Sequence, residues 1–74
     1  MHIDHDREND TAYVSLVAHI PDGAAVRQIP VTGIGADAQV LLDVDASGRL
    51  LGIEVIGAEG ALPAEALEQS TSTR

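Results

Sequence analysis

Asp43, Asp45, Ser47 and Glu54 stand at positions one, three, five and twelve of a twelve-residue stretch, with Gly48 at position six and Leu50 at position eight. As a string this is an EF-hand calcium loop, D-x-[DN]-x-[DN]-G-x5-E, with Ser replacing the third Asp/Asn, and hard divalent cations take such oxygen ligands. One reading is therefore a calcium-binding or calcium-sensing module acting through Asp43, Asp45 and Glu54. The loop, however, works only between two helices that aim its ends. Upstream, residues 32–39 contain two Gly and no helical apolar stripe; downstream, Gly57, Gly60 and Pro63 interrupt the chain. Within the stretch, residues 50–56 are β-patterned. On strands, Glu54 lies several residue pairs from a Ser47-Gly48 tip, too far to close a cage there. A β-hairpin is expected, and Asp43, Asp45 and Glu54 remain candidate ligands without an assigned metal.

Other reactive types are scattered. His2 and His5, with Asp4 and Asp6 beside them, hint at metal, but on a strand the two histidines point to opposite faces. Ser15 and Ser47 lack the strand-to-helix elbow that frames a nucleophile, and no Gly-rich turn opens a helix as an oxyanion or phosphate site. Asp43 and Glu54 share a strand face and have the types for acid–base work. So thin a sheet offers no deep pocket to raise a carboxyl pKa. No catalytic residue and no cofactor are assigned, and a non-enzyme is expected.

Composition narrows the partners. The formal net charge is −8, from twelve acids against four Arg and no Lys. Nucleic acid and anionic membrane both require a basic face, so neither is expected. A basic protein partner is compatible, with encounter accelerated by steering. Tyr13 is the only aromatic residue, which leaves no stacking platform for bases. Cys is absent, which excludes disulfides and thiolate metal sites. The N-terminus lacks a basic segment and an apolar run, and no stretch is long enough to span a bilayer, so a cytoplasmic location is expected.

The elements that position these residues follow from alternation. Residues 2–5 form a short first strand, joined through polar residues 6–10 to a strand over residues 11–18. Pro21-Asp22-Gly23 is a turn. Residues 26–31 make a weaker strand that Pro30 confines to an edge. Residues 39–45 and 49–56 are the best strands. With Ser47-Gly48 at the tip, Ala46 faces Arg49, Val44 faces Leu51, Leu42 faces Ile53 and Val40 faces Val55, all six of the last apolar on one face. Asp43, Asp45 and Glu54 fall on the other. Residues 62–68 read as one short helix with Pro63 at its first position, docked through Leu62 or Leu67. The expected fold class is α+β, mainly β: a small antiparallel sheet of four to five strands with one short C-terminal helix. It forms a single domain over residues 1–68, followed by a disordered polar tail over 69–74.

Seventy-four residues bury only a thin core, and below roughly 70–80 residues a single core supplies about 3–5 kcal/mol. One sheet face carries Ala12, Val14, Leu16, Val40, Leu42, Val44, Leu51, Ile53 and Val55. The other still presents Tyr13, Val17, Leu41, Leu50 and Ile56. One short helix does not cover such a sheet, and a second copy of the chain does. A homodimer is expected, with Tyr13, Leu41, Asp43, Leu50, Glu54 and Ile56 as a candidate interaction face.

Two segments carry a family resemblance: Asn9-Asp10-Thr11-Ala12-Tyr13-Val14-Ser15-Leu16, and Leu42-Asp43-Val44-Asp45-Ala46-Ser47-Gly48-Arg49-Leu50-Leu51-Gly52-Ile53-Glu54-Val55. Together they resemble domain of unknown function 2283, a bacterial family of small proteins with the pattern D-a-L-Y-I followed by l-D-x-D-x-x-G-x-l-v-G-I-E-I-l. The resemblance spans most of residues 3–58. Ala12 departs from the family's usual Leu, and His5 from its usual Tyr, which reduces apolar volume near the N-terminus. The resemblance implies a small β-sheet protein of unassigned function and supplies no catalytic residues. The resulting expectation is a non-catalytic, dimerising protein-interaction module, antitoxin-like in one concrete version.

Overall fold

The computed structural model describes residues 1–72. Five strands form one antiparallel sheet: β1 (His2–Asp6), β2 (Thr11–Ser15), β3 (Arg27–Val31), β4 (Gln39–Val44) and β5 (Leu50–Ile56). Their spatial order is β3-β4-β5-β2-β1. Two short helices follow, α1 (Ala58–Ala61) and α2 (Ala64–Glu68). A two-residue strand, β6 (Thr71–Ser72), pairs in parallel with β1 at Asp4 and His5. The class is α+β and mainly β, as the alternation predicts. Pro30 sits on the edge strand β3, where a missing N–H is tolerated.

Register sorts the side chains into cross-strand rows. On one face, His5, Ala12, Val55, Val40 and Val31 lie side by side, and next to them Ile3, Val14, Ile53, Leu42 and Ile29. On the other face run Asp4, Tyr13, Glu54, Leu41 and Pro30, and beside them His2, Ser15, Gly52, Asp43 and Gln28. The helices lie over the first of these rows. Ala12, Val40 and Val55 are buried with Ala58, and Ala61, Leu62 and Leu67 pack against them. Leu62 and Leu67 are thus both used for docking. The buried apolar set is Ala12, Val40, Val44, Val55 and Ala58. Its three valines contribute about 1.5–3 kcal/mol each, which makes the thinness of this core a quantitative matter.

The central hairpin corrects the parity reading at its tip. Val40 faces Val55 and Leu42 faces Ile53, as alternation predicts, but Val44 faces Leu50 rather than Leu51. Asp45 N–H donates to Arg49 O and Gly48 N–H to Asp45 O, each at 2.9 Å, so the loop is three residues long. Gly48 supplies the left-handed residue of such a loop at φ 81°. The register shift between Asp43 and Val44 then restores the parity. Strand β2 ends at Ser15, although Leu16 N–H still donates to Leu51 O at 3.0 Å.

The C-terminal segment also differs from expectation. There are two helices, not one, and Pro63 is the N-cap of α2 rather than its first residue. Of residues 69–74, Gln69 caps α2 and Thr71–Ser72 pair with β1, while residues 73–74 lie outside the described residues. Four residues including Gly60 do not form a helix on propensity alone. Helix α1 is anchored from the β1–β2 turn. Asp10, at φ 52°, accepts the Gly57 and Ala58 N–H groups on its carbonyl at 2.9 and 3.0 Å, and the Glu59 N–H on its carboxylate at 3.1 Å. Asp tolerates this left-handed conformation better than most side chains.

Candidate functional site

The polar face has one organised cluster, and it contains the chain's single aromatic residue. Tyr13 on β2 stands opposite Glu54 on β5, and Asp43 on β4 stands opposite Gly52. The Tyr13 ring reaches across Gly52 so that its hydroxyl donates to Asp43 Oδ2 at 2.7 Å. Only a residue without a side chain permits this crossing: a Cβ at Gly52 would lie 2.6 Å from Tyr13 Cζ and 2.7 Å from Cε2. From β3, Gln28 Nε2 donates to Asp43 Oδ1 at 2.9 Å and approaches Glu54 Oε1 at 3.5 Å. Asp43 is only 8% exposed, and both its oxygens are partnered, as burial of a carboxylate requires.

These contacts change the chemistry of Tyr13. Burial, the hydrogen bond to Asp43 and the charges of Asp43 and Glu54 together push its phenol up to about 12. The hydroxyl therefore stays protonated and acts as a hydrogen-bond donor throughout the ordinary pH range.

Asp45 does not join this cluster. Its Oδ1 accepts the Ser47 and Arg49 N–H groups at 2.9 Å each, and Arg49 Nε lies 3.6 Å from Oδ2. The Arg49 amide is the largest influence and lowers its pKa; desolvation opposes it, and the Ser47 amide and the guanidinium add to the lowering. The carboxylate holds its own turn. Of the three candidate ligands, the structure brings Asp43 and Glu54 together through Gln28 and leaves Asp45 in the hairpin loop. Strands flank the segment where an EF-hand needs helices. Among the described residues no group of three or more His, Asp or Glu side chains is disposed to hold a metal ion.

His2 and His5 point to opposite faces, as strand alternation requires. His2 Nε2 meets Asp4 at 2.9 Å on the polar face, and His5, buried on the apolar face, lies 3.4 Å from Asp10. His19 is exposed in the β2–β3 connection. Of the candidate interaction face, Tyr13, Leu41, Asp43, Glu54 and Ile56 share the polar side, whereas Leu50 opposes Val44 beyond the bulge. Gln28, Gly52 and Asp10 are additions that sequence reasoning did not single out. Pairing β3 with β4 is the step that places Gln28 beside Asp43.

The class defined by this geometry is a small single-layer β-sheet protein whose polar face is cross-linked by one Tyr–Asp–Gln–Glu mesh. A family model described as protein of unknown function (DUF2283) matches residues 2–58, and the chain belongs to that family. No curated protein and no solved structure matches it.

Proposed function

We propose that this chain is a non-catalytic, dimerising β-module that works by binding another protein. The observation that carries the reading is uncovered apolar surface: nine helical residues cover one side of the sheet, and Leu16, Val17, Val26, Ile34 and Leu50 remain exposed. Supporting it, the side chains with reactive chemistry are already engaged: Tyr13 and Asp43 with each other, Asp45 with its loop, and Asp10 with α1. The acidic balance favours a basic protein partner, and an antitoxin-like neutraliser is one form of that. The test is capture from native lysate by tagged protein at low and high salt, with sedimentation velocity on the chain alone. Recovery of a basic protein that salt releases is the expected result. Recovery of no such protein, together with a monomer at micromolar concentration, overturns the proposal.

A further inference from the structure

We infer that residues 59–72 form a strap that closes the sheet's buried apolar row and the β1 edge together, and that opens as a unit while the sheet stays folded. The inference goes beyond the dimerising reading and does not depend on it. All five antiparallel strands are complete at Ile56, before the strap begins. The strap carries the last residues of α1, all of α2 and the two residues of β6. Helices of four and five residues do not hold alone. The strap therefore stays down only through what it touches.

Few side chains hold it. Ala61, Leu62 and Leu67 pack over Ala12, Val40 and Val55, yet no residue from 59 to 71 is itself buried, whereas the three beneath are. The hydrogen bonds that tie the strap to the sheet sit at its two ends. At the start the Glu59 N–H donates to the Asp10 carboxylate at 3.1 Å, and at the end β6 pairs with Asp4 and His5 of β1. Between these ends, the Ala66, Gln69 and Ser70 N–H groups donate to the Pro63, Glu65 and Leu67 carbonyls, all within the strap. A segment with few buried apolar contacts and local hydrogen bonds opens at a lower free energy than the whole domain. Gly57, at φ 84°, and the buried Ala58 both donate to the Asp10 carbonyl and form the fixed base of the strap.

Closed, the strap withholds two features from any partner: the row of Ala12, Val40 and Val55, and the outer edge of β1. Opening frees both at once and leaves the Tyr13 face, on the other side of the sheet, unchanged.

The experiment is amide hydrogen exchange of the full native chain, read by mass spectrometry on peptides from residues 59–70 and from β4 and β5. It is run in water and in urea below the unfolding transition. The strap is expected to be protected, but roughly a hundredfold less than β4 and β5, and with a shallower urea dependence because its opening exposes less surface. Ile29→Ala, on the edge strand β3, is expected to speed exchange in β4 and β5 by about tenfold and to leave the strap's rate unchanged. Leu67→Ala is expected to speed the strap itself by about tenfold. Strap and strands that exchange at one rate with one urea slope, or that Ile29→Ala speeds alike, overturn the inference, because the chain then opens as a single unit. Strap amides without protection overturn it too, since nothing then closes. Should a variant unfold, the urea series on the native chain decides alone.

Discussion

Gly52→Ala is the smallest change that interrogates the polar face. The added methyl group occupies the space of the Tyr13 ring, with Cζ and Cε2 at 2.6 and 2.7 Å from the new Cβ. The ring must swing off β5, and its hydroxyl then loses Asp43 Oδ2. A hydrogen bond to a charged group contributes about 1.5–3 kcal/mol. Replacing a strand Gly by Ala returns about 0.4–1 kcal/mol through the unfolded chain. The expected net loss is therefore about 1–2 kcal/mol, a large part of what a core this small supplies. Urea denaturation, read by circular dichroism at fixed chain concentration, measures it. In a Tyr13→Ala background there is no ring to displace, so Gly52→Ala is expected to be neutral or slightly stabilising there. The coupling between the two sites is then about 1.5–3 kcal/mol.

A second readout follows from Tyr13 being the only aromatic residue: tyrosinate absorbance reports this one group. Its phenol is pushed up to about 12, first by burial, then by Asp43 and Glu54. Gly52→Ala moves the titration down toward the ordinary value near 10. The sign for stability follows from the raised folded pKa. The contribution of the protonated hydroxyl is complete below pH ~10 and disappears as pH rises from there toward 12. An equal cost of Gly52→Ala in the native and Tyr13→Ala backgrounds, with an unshifted tyrosinate titration when Tyr13 is present, would refute the packing of this ring on Gly52.

Asp10→Ala is expected to cost about 1–2 kcal/mol, on the scale of a lost helix cap at a left-handed residue. Asp10→Asn, which keeps an acceptor and tolerates positive φ, loses less; comparison of urea midpoints checks this. Because hydrogen bonds from Arg49 and Ser47 lower its pKa, Asp45 stabilises the hairpin above the ordinary carboxylate range and loses that contribution as pH falls through its lowered value. Asp45→Ala should therefore flatten the acid limb of the stability profile, measured by thermal melts from neutral pH downwards. Millimolar calcium is expected to leave the melting temperature unchanged, since a ligand stabilises only in proportion to its binding to the folded state. Calorimetric heat or an upward melting shift with calcium would restore the cation reading of Asp43 and Glu54.

Local alternation controls what is legible in the residues. The pairing of Val40 with Val55 and Leu42 with Ile53 follows from parity because burial of one face penalises any slip. Parity is blind to a bulge, so it places the tip one residue away from its true position. The better signal is Asp45 with Gly48, an Asx-type acceptor followed by a left-handed Gly. Helix α1 has no local signal at all. Its amide groups are satisfied by Asp10, which is 49 positions from Glu59, and only the folded sheet brings them together. The candidate site is half legible for the same reason. Asp43 and Glu54 share a face by alternation, but Tyr13 and Asp43 are 30 positions apart, and the role of Gly52 is visible only once that ring is in place.

The coincidence between this segment and a calcium loop has a physical root. Both a tight hairpin and an EF-hand loop need a carboxylate that accepts backbone amides and a Gly at the sharp turn. Here Asp45 accepts the Ser47 and Arg49 amides, and Gly48 takes positive φ. The two structures diverge in what the remaining acids do. A calcium site turns its carboxylates inward on one ion. In this chain Asp43 is instead satisfied across the sheet by a phenol and an amide, and Glu54 lies opposite Tyr13, whose phenol is kept protonated by burial first, then by Asp43, and last by Glu54. In this chain Tyr13 and the segment from Asp43 to Glu54, D-x-D-x-x-G-x-x-x-G-x-E, therefore form one mechanical unit. The first Asp receives the Tyr, the second Asp and first Gly shape the turn, the second Gly makes room for the ring, and the Glu completes the face. That unit cross-links the polar side of the sheet, opposite the side on which the helices pack.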